Sequence, residues 1–219
     1  MIEAQLRRWL DELASRADQE LAQQDAAREK ALVHSRELIR LCAAAIREGH
    51  RGHRSQAEQL LSEAEKIEAE IQESLAPYPD LYFAGYTQDA LKELFEAQVT
   101  LALIGQAALP ALDAVHMPLS TCLNGVCEAA SELRRACLDL LRREKFAEAE
   151  RLLAAMDAVY DVLMSFGYPD GITKGLRRRV DQLRGVLERT RGDITNALQM
   201  AKLRRALEEA QGEEVAGEA

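Results

Sequence analysis

Hydrophobic residues recur at helical spacing along most of this chain. Leu6, Leu10, Leu13 and Leu21 mark a first amphipathic stretch, and apolar residues continue the same spacing through residues 31–46. The first proline stands at position 77, so no proline interrupts this region. The pattern predicts that the chain begins with long amphipathic helices.

Glycines and a capping pattern predict where the next helix begins. Gly49 and Gly52 break the first periodic stretch. Ser55 with Glu58 three residues later matches a capping box, in which the two side chains satisfy free backbone N–H groups. We therefore predict a helix that begins near Ser55 and ends near Ser74.

An aromatic loop separates this helix from the following one. The aromatic side chains of the loop are Tyr78, Tyr82, Phe83 and Tyr86. We expect them to pack at a helix corner, and stacking on unpaired bases is the alternative. Thr87 is predicted to cap the next helix. Residues from Val99 to Leu112 are almost wholly apolar, which predicts a helix end buried on every side.

Three more helices are predicted in the second half of the chain. They cover about residues 119–143, 146–164 and 172–209, and no segment shows the alternation of a strand. The sequence therefore predicts an all-α fold, a single-domain bundle of six or seven long helices over residues 1–211. Residues 212–219 are rich in Gly and Glu and are predicted to form a flexible acidic tail.

Composition limits the possible functions. Aromatic residues make up 5% of the chain, hydrophobic residues 47% and charged residues 30%, which is typical of stacked helices. The formal net charge of −9 excludes a uniformly basic nucleic-acid binder but allows a local basic patch. The four cysteines form no CxxC pair and are expected to be buried thiols. No apolar run is long enough for a membrane span, and we expect a cytoplasmic protein.

Three glutamates are candidate metal ligands. Glu93 and Glu96 share one helix face because they are three residues apart, and Glu128 lies on the next long helix. If these helices pack side by side, the carboxylates converge and repel one another unless a cation such as Mg²⁺ or Mn²⁺ neutralises them. The alternative is that each is an ordinary solvent-facing glutamate.

Two basic clusters are candidate nucleic-acid contacts. One contains Arg51, His53 and Arg54, and the other is the run from Arg177 through Arg178 to Arg179. Phosphate groups are bound by such side chains. A solvated face or an intersubunit salt bridge is the competing interpretation, since charge runs are usually solvated.

Four short segments resemble the translin family, which comprises translin and translin-associated factor X. The segment from Cys122 to Arg135 is similar to the family's central Leu-x-Gly-Val…Glu-Leu-x-Arg pattern. Residues 35–38, 92–97 and 175–180 are similar to further family segments in the same order. The resemblance spans about residues 31–200.

The resemblance implies a seven-helix fold and hollow octamers that bind single-stranded RNA or DNA. Subunits of the translin-associated factor X type are Mg²⁺-dependent endoribonucleases with three acidic residues, which match Glu93, Glu96 and Glu128 here. The third acid is usually Asp, so Glu128 is one methylene longer. Glu132 is shared by members that lack the catalytic acids, and we expect it to form an ordinary salt bridge within or between helices.

The sequence therefore predicts a metal-dependent endoribonuclease that cleaves single-stranded RNA inside a homo-oligomer, in which Glu93, Glu96 and Glu128 bind the metal. Two alternatives stay open. One is a non-catalytic shell that binds single strands, and the other is a helical scaffold in which the glutamates are surface charges.

Overall fold

The protein is all-α, as predicted. A computed structural model describes the backbone of residues 2–217 and the side chains of residues 2–211. Within these residues there is no strand, and six long helices are joined by two helices of one turn and one 3-10 turn. The helices are α1 (Ile2–Arg51), α2 (Arg54–Leu75), α3 (Pro79–Tyr82), α4 (Gly85–Gly105), α5 (Leu119–Leu141), α6 (Phe146–Met164), α7 (Asp170–Thr173) and α8 (Leu176–Gly217), and the 3-10 turn is Leu112–Ala114.

Helix α1 extends well beyond the body of the molecule. Its 50 residues correspond to roughly 75 Å of helix. Only the second half is buried, from Ala31 to Glu48. Residues 2–26, which we call the α1 overhang, keep the apolar stripe of the sequence but leave it in solvent, and Trp9 is 58% exposed. The large exposed apolar side chains of the overhang are Ile2, Leu6, Trp9, Leu10, Leu13 and Leu21.

The first layer of the body consists of α1, α2 and α4. Helix α2 returns along α1, and α4 packs on both. The core between them includes Leu38, Ile71, Leu91 and Leu94, all fully buried. Gly49 near the end of α1 faces Leu101 near the end of α4, so these two helices run in the same direction.

The second layer consists of α5, α6 and α8. Leu133, Leu152 and Met156 fill its core. Helix α5 packs on α4 in a parallel arrangement, because Thr121 contacts Gln88 while the later Gly125 lies against Lys92 and Glu96. Residues 106–118 form the connection that returns along α4 to allow this arrangement. Helices α4 and α5 therefore join the two layers.

Two predicted caps are wrong. Helix α2 begins at Arg54, and its N-cap residue His53 makes no side-chain capping bond, so Ser55 lies inside the helix. Glu58 accepts a hydrogen bond from Arg54 at 2.8 Å. Helix α4 begins at Gly85, and the Thr87 hydroxyl donates to the carbonyl of Leu81. The bonds that form are also local, since Arg54 pairs with Glu58 one turn along α2 and Thr87 reaches back six residues to Leu81. They differ from the capping bonds that the sequence pattern favoured.

The predicted burial of residues 99–112 is wrong at its C-terminal end. Helix α4 ends at Gly105, because Gln106 adopts a left-handed conformation with φ 53°. Beyond it, Leu109 is 58% exposed and Leu112 is 74% exposed. The apolar run continues from the helix into the connection, and hydrophobicity alone does not distinguish the two.

The aromatic loop mostly packs, as expected. Tyr78, Tyr82 and Tyr86 lie against the first core, and the Tyr82 hydroxyl donates to the carbonyl of His116. Phe83 differs, since it is 63% exposed and contacts the ring of Tyr82 edge to face.

The remaining structural expectations concern the thiols, the membrane and the tail. All four cysteines are free and buried. Within the described residues, none of the helices combines the length and the apolar character that crossing a bilayer requires. Helix α8 extends through Gly217, so most of the predicted tail has helical backbone, while residues 218–219 lie outside the described residues. The flexibility of the tail and the single-domain boundary at residue 211 stay predictions.

Candidate metal and nucleic-acid site

The three predicted glutamates meet between α4 and α5. Each of Glu93, Glu96 and Glu128 offers one carboxylate oxygen, and these oxygens all lie within 4.8 Å of one another. All three side chains are partly buried. Among the described residues, no other group of three or more His, Cys, Asp or Glu side chains converges in this way.

Gly125 allows α5 to approach α4 beneath these acids. A Cβ atom at this position would lie 2.9 Å from the carbonyl oxygen of Lys92 and 3.3 Å from the backbone nitrogen of Glu96. Backbone atoms cannot move aside as a flexible side chain can. The glycine therefore sets the helix separation at which Glu128 reaches Glu93 and Glu96.

Two cationic side chains enter the same cluster. The Lys92 ammonium donates to Glu128 Oε2 and lies 3.1 Å from Glu93 Oε1. The Arg179 guanidinium donates through Nε to Glu128 Oε1 at 2.6 Å. Both oxygens of Glu128 thus have a cationic partner. Lys92 comes from α4 and Arg179 from α8, so the cluster connects three helices.

Arg179 is held in place by further contacts. Its Nη1 donates to Asn124 Oδ1 at 3.2 Å and to the carbonyl of Lys174 at 3.1 Å. Asn124 is 3% exposed, and its Nδ2 donates to the carbonyl of Thr173 at 2.8 Å. The chain turns into α8 at Gly175, whose φ of +82° favours glycine. The turn and the asparagine together aim the guanidinium at Glu128.

Burial and charge shift the pKa values of these groups in opposite directions. Burial, followed by the charges of Glu93 and Glu128, raises the pKa of Glu96 to about 8. Burial acts to raise the pKa of Glu128 as well. The hydrogen bonds from Lys92 and Arg179 outweigh this effect, so the pKa of Glu128 lies below its usual value. Burial acts to lower the pKa of Lys92, and the pairing with Glu128 raises it overall.

The donor set fits a hard divalent cation. Carboxylate oxygens are the ligands that Mg²⁺, Mn²⁺ and Ca²⁺ prefer. Ligands on opposite sides of one Mg²⁺ are about 4.2 Å apart, so a set within 4.8 Å needs only a small side-chain adjustment. The partly exposed position leaves room for water on the remaining coordination sites.

Glu132 lies one turn beyond Glu128 on α5 and has a different partner. His50 Nε2 lies 2.7 Å from Glu132 Oε1, and the His50 side chain is 1% exposed. The pair joins the end of α1 to α5 and matches the interhelical salt bridge that was one expectation for Glu132.

The first predicted basic cluster lies at the turn between α1 and α2. Arg51 and His53 both contact Glu48 at 2.7 Å, and Arg54 contacts Glu58 at 2.8 Å. The side chains of the three basic residues are 57–66% exposed. They are accessible, but acidic neighbours already offset their charge.

The second predicted basic cluster divides in two. Arg177 and Arg178 are exposed at the start of α8, whereas Arg179 is partly buried against Glu128. All three arginines were predicted to contact nucleic acid, and the contact of Arg179 with the candidate metal ligand Glu128 was not predicted. The contacts of Lys92 with Glu128 and of Asn124 with Arg179 were not predicted either. A basic residue directly beside Glu93 was a signal for Lys92, while nothing in the sequence indicated the distant partner of Asn124.

Comparison with known proteins identifies the family to which the chain belongs. No protein-family model matches the chain. The uncharacterized protein MJ0175 of Methanocaldococcus jannaschii is 32% identical over 194 residues, which cover 87% of this chain and 85% of that protein. The structure of the AfC3PO–duplex RNA complex matches with a TM-score of 0.80 and 33% identity, over 87% of this chain and 98% of that one.

The chain belongs to the translin/C3PO family. The structure of apo-NeC3PO, at 18% identity and a TM-score of 0.75, shares the fold over 84% of this chain. As a member of the translin/C3PO family, the chain has the all-α fold that the resemblance implied. The acid cluster lies where the two helical layers of this fold meet.

Proposed function

We propose that this protein is a metal-dependent endoribonuclease that cleaves single-stranded RNA within a homo-oligomer. The convergence of Glu93, Glu96 and Glu128 within 4.8 Å carries the proposal, because hard divalent cations are bound by carboxylate oxygens that are held this close together. Membership in the translin/C3PO family supports an RNA substrate, since the relative AfC3PO has been solved in complex with duplex RNA.

The three glutamates would hold Mg²⁺, or Mn²⁺, between α4 and α5. When bound, such a cation supplies a water of lowered pKa and neutralises charge that develops on a phosphate. Glu93 and Glu96 present their carboxylates from one rigid helix face, so their spacing is fixed by the backbone. Arg179 keeps Glu128 oriented through Oε1, which restricts how the longer side chain can turn.

Basic residues near the cluster would bind the RNA backbone. Arg177 and Arg178 are exposed one to two residues before Arg179, which reaches the acids. Because Arg177 and Arg178 point away from the helix face that carries Arg179, they would bind phosphates along the start of α8 and not within the acid cluster. Arg51, His53 and Arg54 would form a second contact, in which phosphate competes with Glu48 and Glu58 for the basic side chains.

Exposed apolar surface supports assembly of several copies. The α1 overhang presents six large apolar side chains along one helix, and α8 exposes Met200, Leu203 and Leu207 near its C-terminal end. Helix α1 extends from the body at its N-terminal end. Helix α8 extends from the opposite end, where Arg204 contacts Glu144 just beyond the C-terminal end of α5. Apolar surface of this extent is typical of protein interfaces. We propose a homo-oligomer, with the octamer as the expected size.

The proposal is tested by cleavage of labelled RNA with and without Mg²⁺. Glu128→Gln should lower the rate by more than about 100-fold, because it removes a charged ligand of the proposed metal. The oligomer should stay intact, because the glutamine keeps the size of the side chain. Glu148→Gln is the matched control, because Glu148 forms a surface pair with Lys145. This variant should cleave RNA at the wild-type rate. Mg²⁺-dependent cleavage that survives Glu128→Gln would contradict the assignment.

Binding of RNA without cleavage is the second candidate function. Lys92 and Arg179 already pair with Glu128, which favours a cluster that is stable without metal. The same assay separates the two functions when single-stranded and duplex RNA are compared. Salt-sensitive binding of either RNA with no cut in Mg²⁺ or Mn²⁺ would favour this second function.

A further inference from the structure

Lys92 is an internal cation of the acid cluster. Its ammonium contacts both Glu93 and Glu128, and its side chain is only 11% exposed. A lysine in this position does what a bound metal would do, since it places positive charge between carboxylates of two helices. Lys92 and a divalent cation therefore compete for the same oxygens.

The charges of the cluster show how strong this competition is. Glu93, Glu96 and Glu128 together carry at most three negative charges, and Lys92 and Arg179 carry two positive ones. Both oxygens of Glu128 already have cationic partners, so a divalent cation that approaches Glu128 is repelled by the nearer partner until that partner moves away.

Lys92 is the partner that can move. Arg179 is fixed by Asn124 and by the carbonyl of Lys174 in addition to Glu128. Lys92, in contrast, has hydrogen-bonding or ionic contacts only with Glu93 and Glu128 among the described residues. Its four-carbon stem lets the ammonium swing without any backbone change.

We propose that Lys92 exchanges Glu128 for an RNA phosphate when a divalent cation binds, so that metal and RNA bind cooperatively. A divalent cation that binds both Glu93 and Glu128 takes both anionic partners of the Lys92 ammonium. The displaced ammonium then lies in a partly buried site without a counter-charge, and a phosphate supplies one. The coupling is reciprocal, because a phosphate that attracts Lys92 equally frees Glu128 for the metal. This inference rests on the proposed metal site and names how that site is regulated.

The test measures Mn²⁺ affinity by electron paramagnetic resonance of the free ion. Lys92→Gln should bind Mn²⁺ at least about tenfold more tightly than the wild type without RNA, because a competing charge is removed. Lys145→Gln is the control, since Lys145 pairs with Glu148 on the surface and should leave the affinity unchanged. Circular dichroism checks that each variant is folded.

The cooperative part is measured in the presence of a fully 2′-O-methylated oligoribonucleotide, which stays intact during the titration. It should tighten Mn²⁺ binding to the wild type at least about fivefold and have little effect on Lys92→Gln. Lys92→Arg keeps the charge and should retain the coupling.

The outcomes separate the two claims. Equal Mn²⁺ affinity and equal RNA coupling for wild type and Lys92→Gln would overturn the role of Lys92 and leave the metal site standing. Absence of Mn²⁺ binding in every variant, or Mn²⁺ binding that persists in Glu128→Gln, would overturn the proposed metal site itself.

Discussion

At the scale of single residues, the acid cluster is a set of charges that constrain one another. Glu128 is held ionised by Lys92 and Arg179, and its charge in turn contributes to the raised pKa of Glu96. The repulsion between the carboxylates of Glu96 and Glu128 therefore opposes folding, and the rest of the fold must offset it. Such interactions are typical of sites whose residues are arranged for binding rather than for stability.

Glu96 gives this interaction a measurable pH dependence. Its pKa rises from 4.5 to about 8 on folding in the absence of metal, so the folded chain holds a proton that the unfolded chain releases. The free energy of unfolding should fall as the pH increases from about 4.5 towards about 8. Glu96→Gln removes this loss and should stabilise the metal-free protein at pH 8 by about 1 kcal/mol or more.

Urea unfolding in EDTA at pH 5 and pH 8 checks this effect. The gain from Glu96→Gln should be large at pH 8 and small at pH 5. Glu148→Gln is again the control, and equal stability of Glu96→Gln and wild type at both pH values would contradict the burial of Glu96 among like charges.

The sequence predicted the acids of this site but not their partners. Helical spacing placed Glu93 and Glu96 on one face, and the resemblance linked them to Glu128. The pairings of Lys92 and Arg179 depend on the separation of three helices, which no local pattern encodes. The run from Arg177 to Arg179 was therefore predicted to form one surface, although Arg177 and Arg178 face solvent and Arg179 faces Glu128.

At the scale of elements, the contact between α4 and α5 determines the site. Gly125 allows the two backbones to approach, and the acids lie directly at this contact. The sequence predicted both helices and their order, and it missed where α4 begins and ends. Helix ends depend on bonds such as that from Thr87 to the carbonyl of Leu81, which form only in the folded molecule.

Gly125→Ala should separate these helices. Alanine favours helices over glycine, so a free surface would gain stability from the change. Here the added methyl group would meet the backbone of α4 at 2.9 Å, and we expect a loss of about 1–3 kcal/mol in the free energy of unfolding. We also expect weaker Mn²⁺ binding, because Glu128 would move away from Glu93 and Glu96.

Gly192→Ala is the matched control for this substitution. Gly192 lies on the exposed side of α8, and a Cβ there would meet nothing within 4 Å. Its replacement should stabilise the protein by about 0.5–1 kcal/mol. If both variants shifted the urea midpoint in the same direction, the close approach of α4 and α5 would be refuted.

At the scale of the whole molecule, the body and the α1 overhang have different roles. The body contains the buried cores, whereas residues 2–26 contribute no buried side chain to them. The apolar stripe of the overhang was visible in the sequence. The exposure of this stripe could not be predicted, because the same periodicity occurs in helices that pack within one chain and in helices that pack against another chain.

Substitution of the overhang should affect assembly and leave folding unchanged. The double variant Leu10→Gln and Leu13→Gln should lower the mass measured by light scattering, since it removes apolar surface that we propose to lie between copies. The free energy of unfolding of the dissociated chain should change by less than about 0.5 kcal/mol, as is usual for surface sites. Ser15→Ala with Gln19→Ala, on the opposite helix face, is the control.

Trp9 provides a second measurement of the same interface. It is the single tryptophan of the chain and lies on the exposed stripe. Its fluorescence should shift to longer wavelength when the oligomer is diluted and dissociates. Emission that does not change with concentration, while the mass does, would place the interface elsewhere.

The parallel arrangement of α4 and α5 makes the connection 106–118 a place where the protein could be extended. This segment must return along the full height of α4, and its exposed Leu109 and Leu112 contribute nothing to either core. Doubling the length of a loop costs only about 0.6 kcal/mol in closure entropy. A peptide tag inserted between Ala108 and Leu109 should therefore be tolerated, and it would label each subunit at the boundary between its layers without displacing the acidic residues.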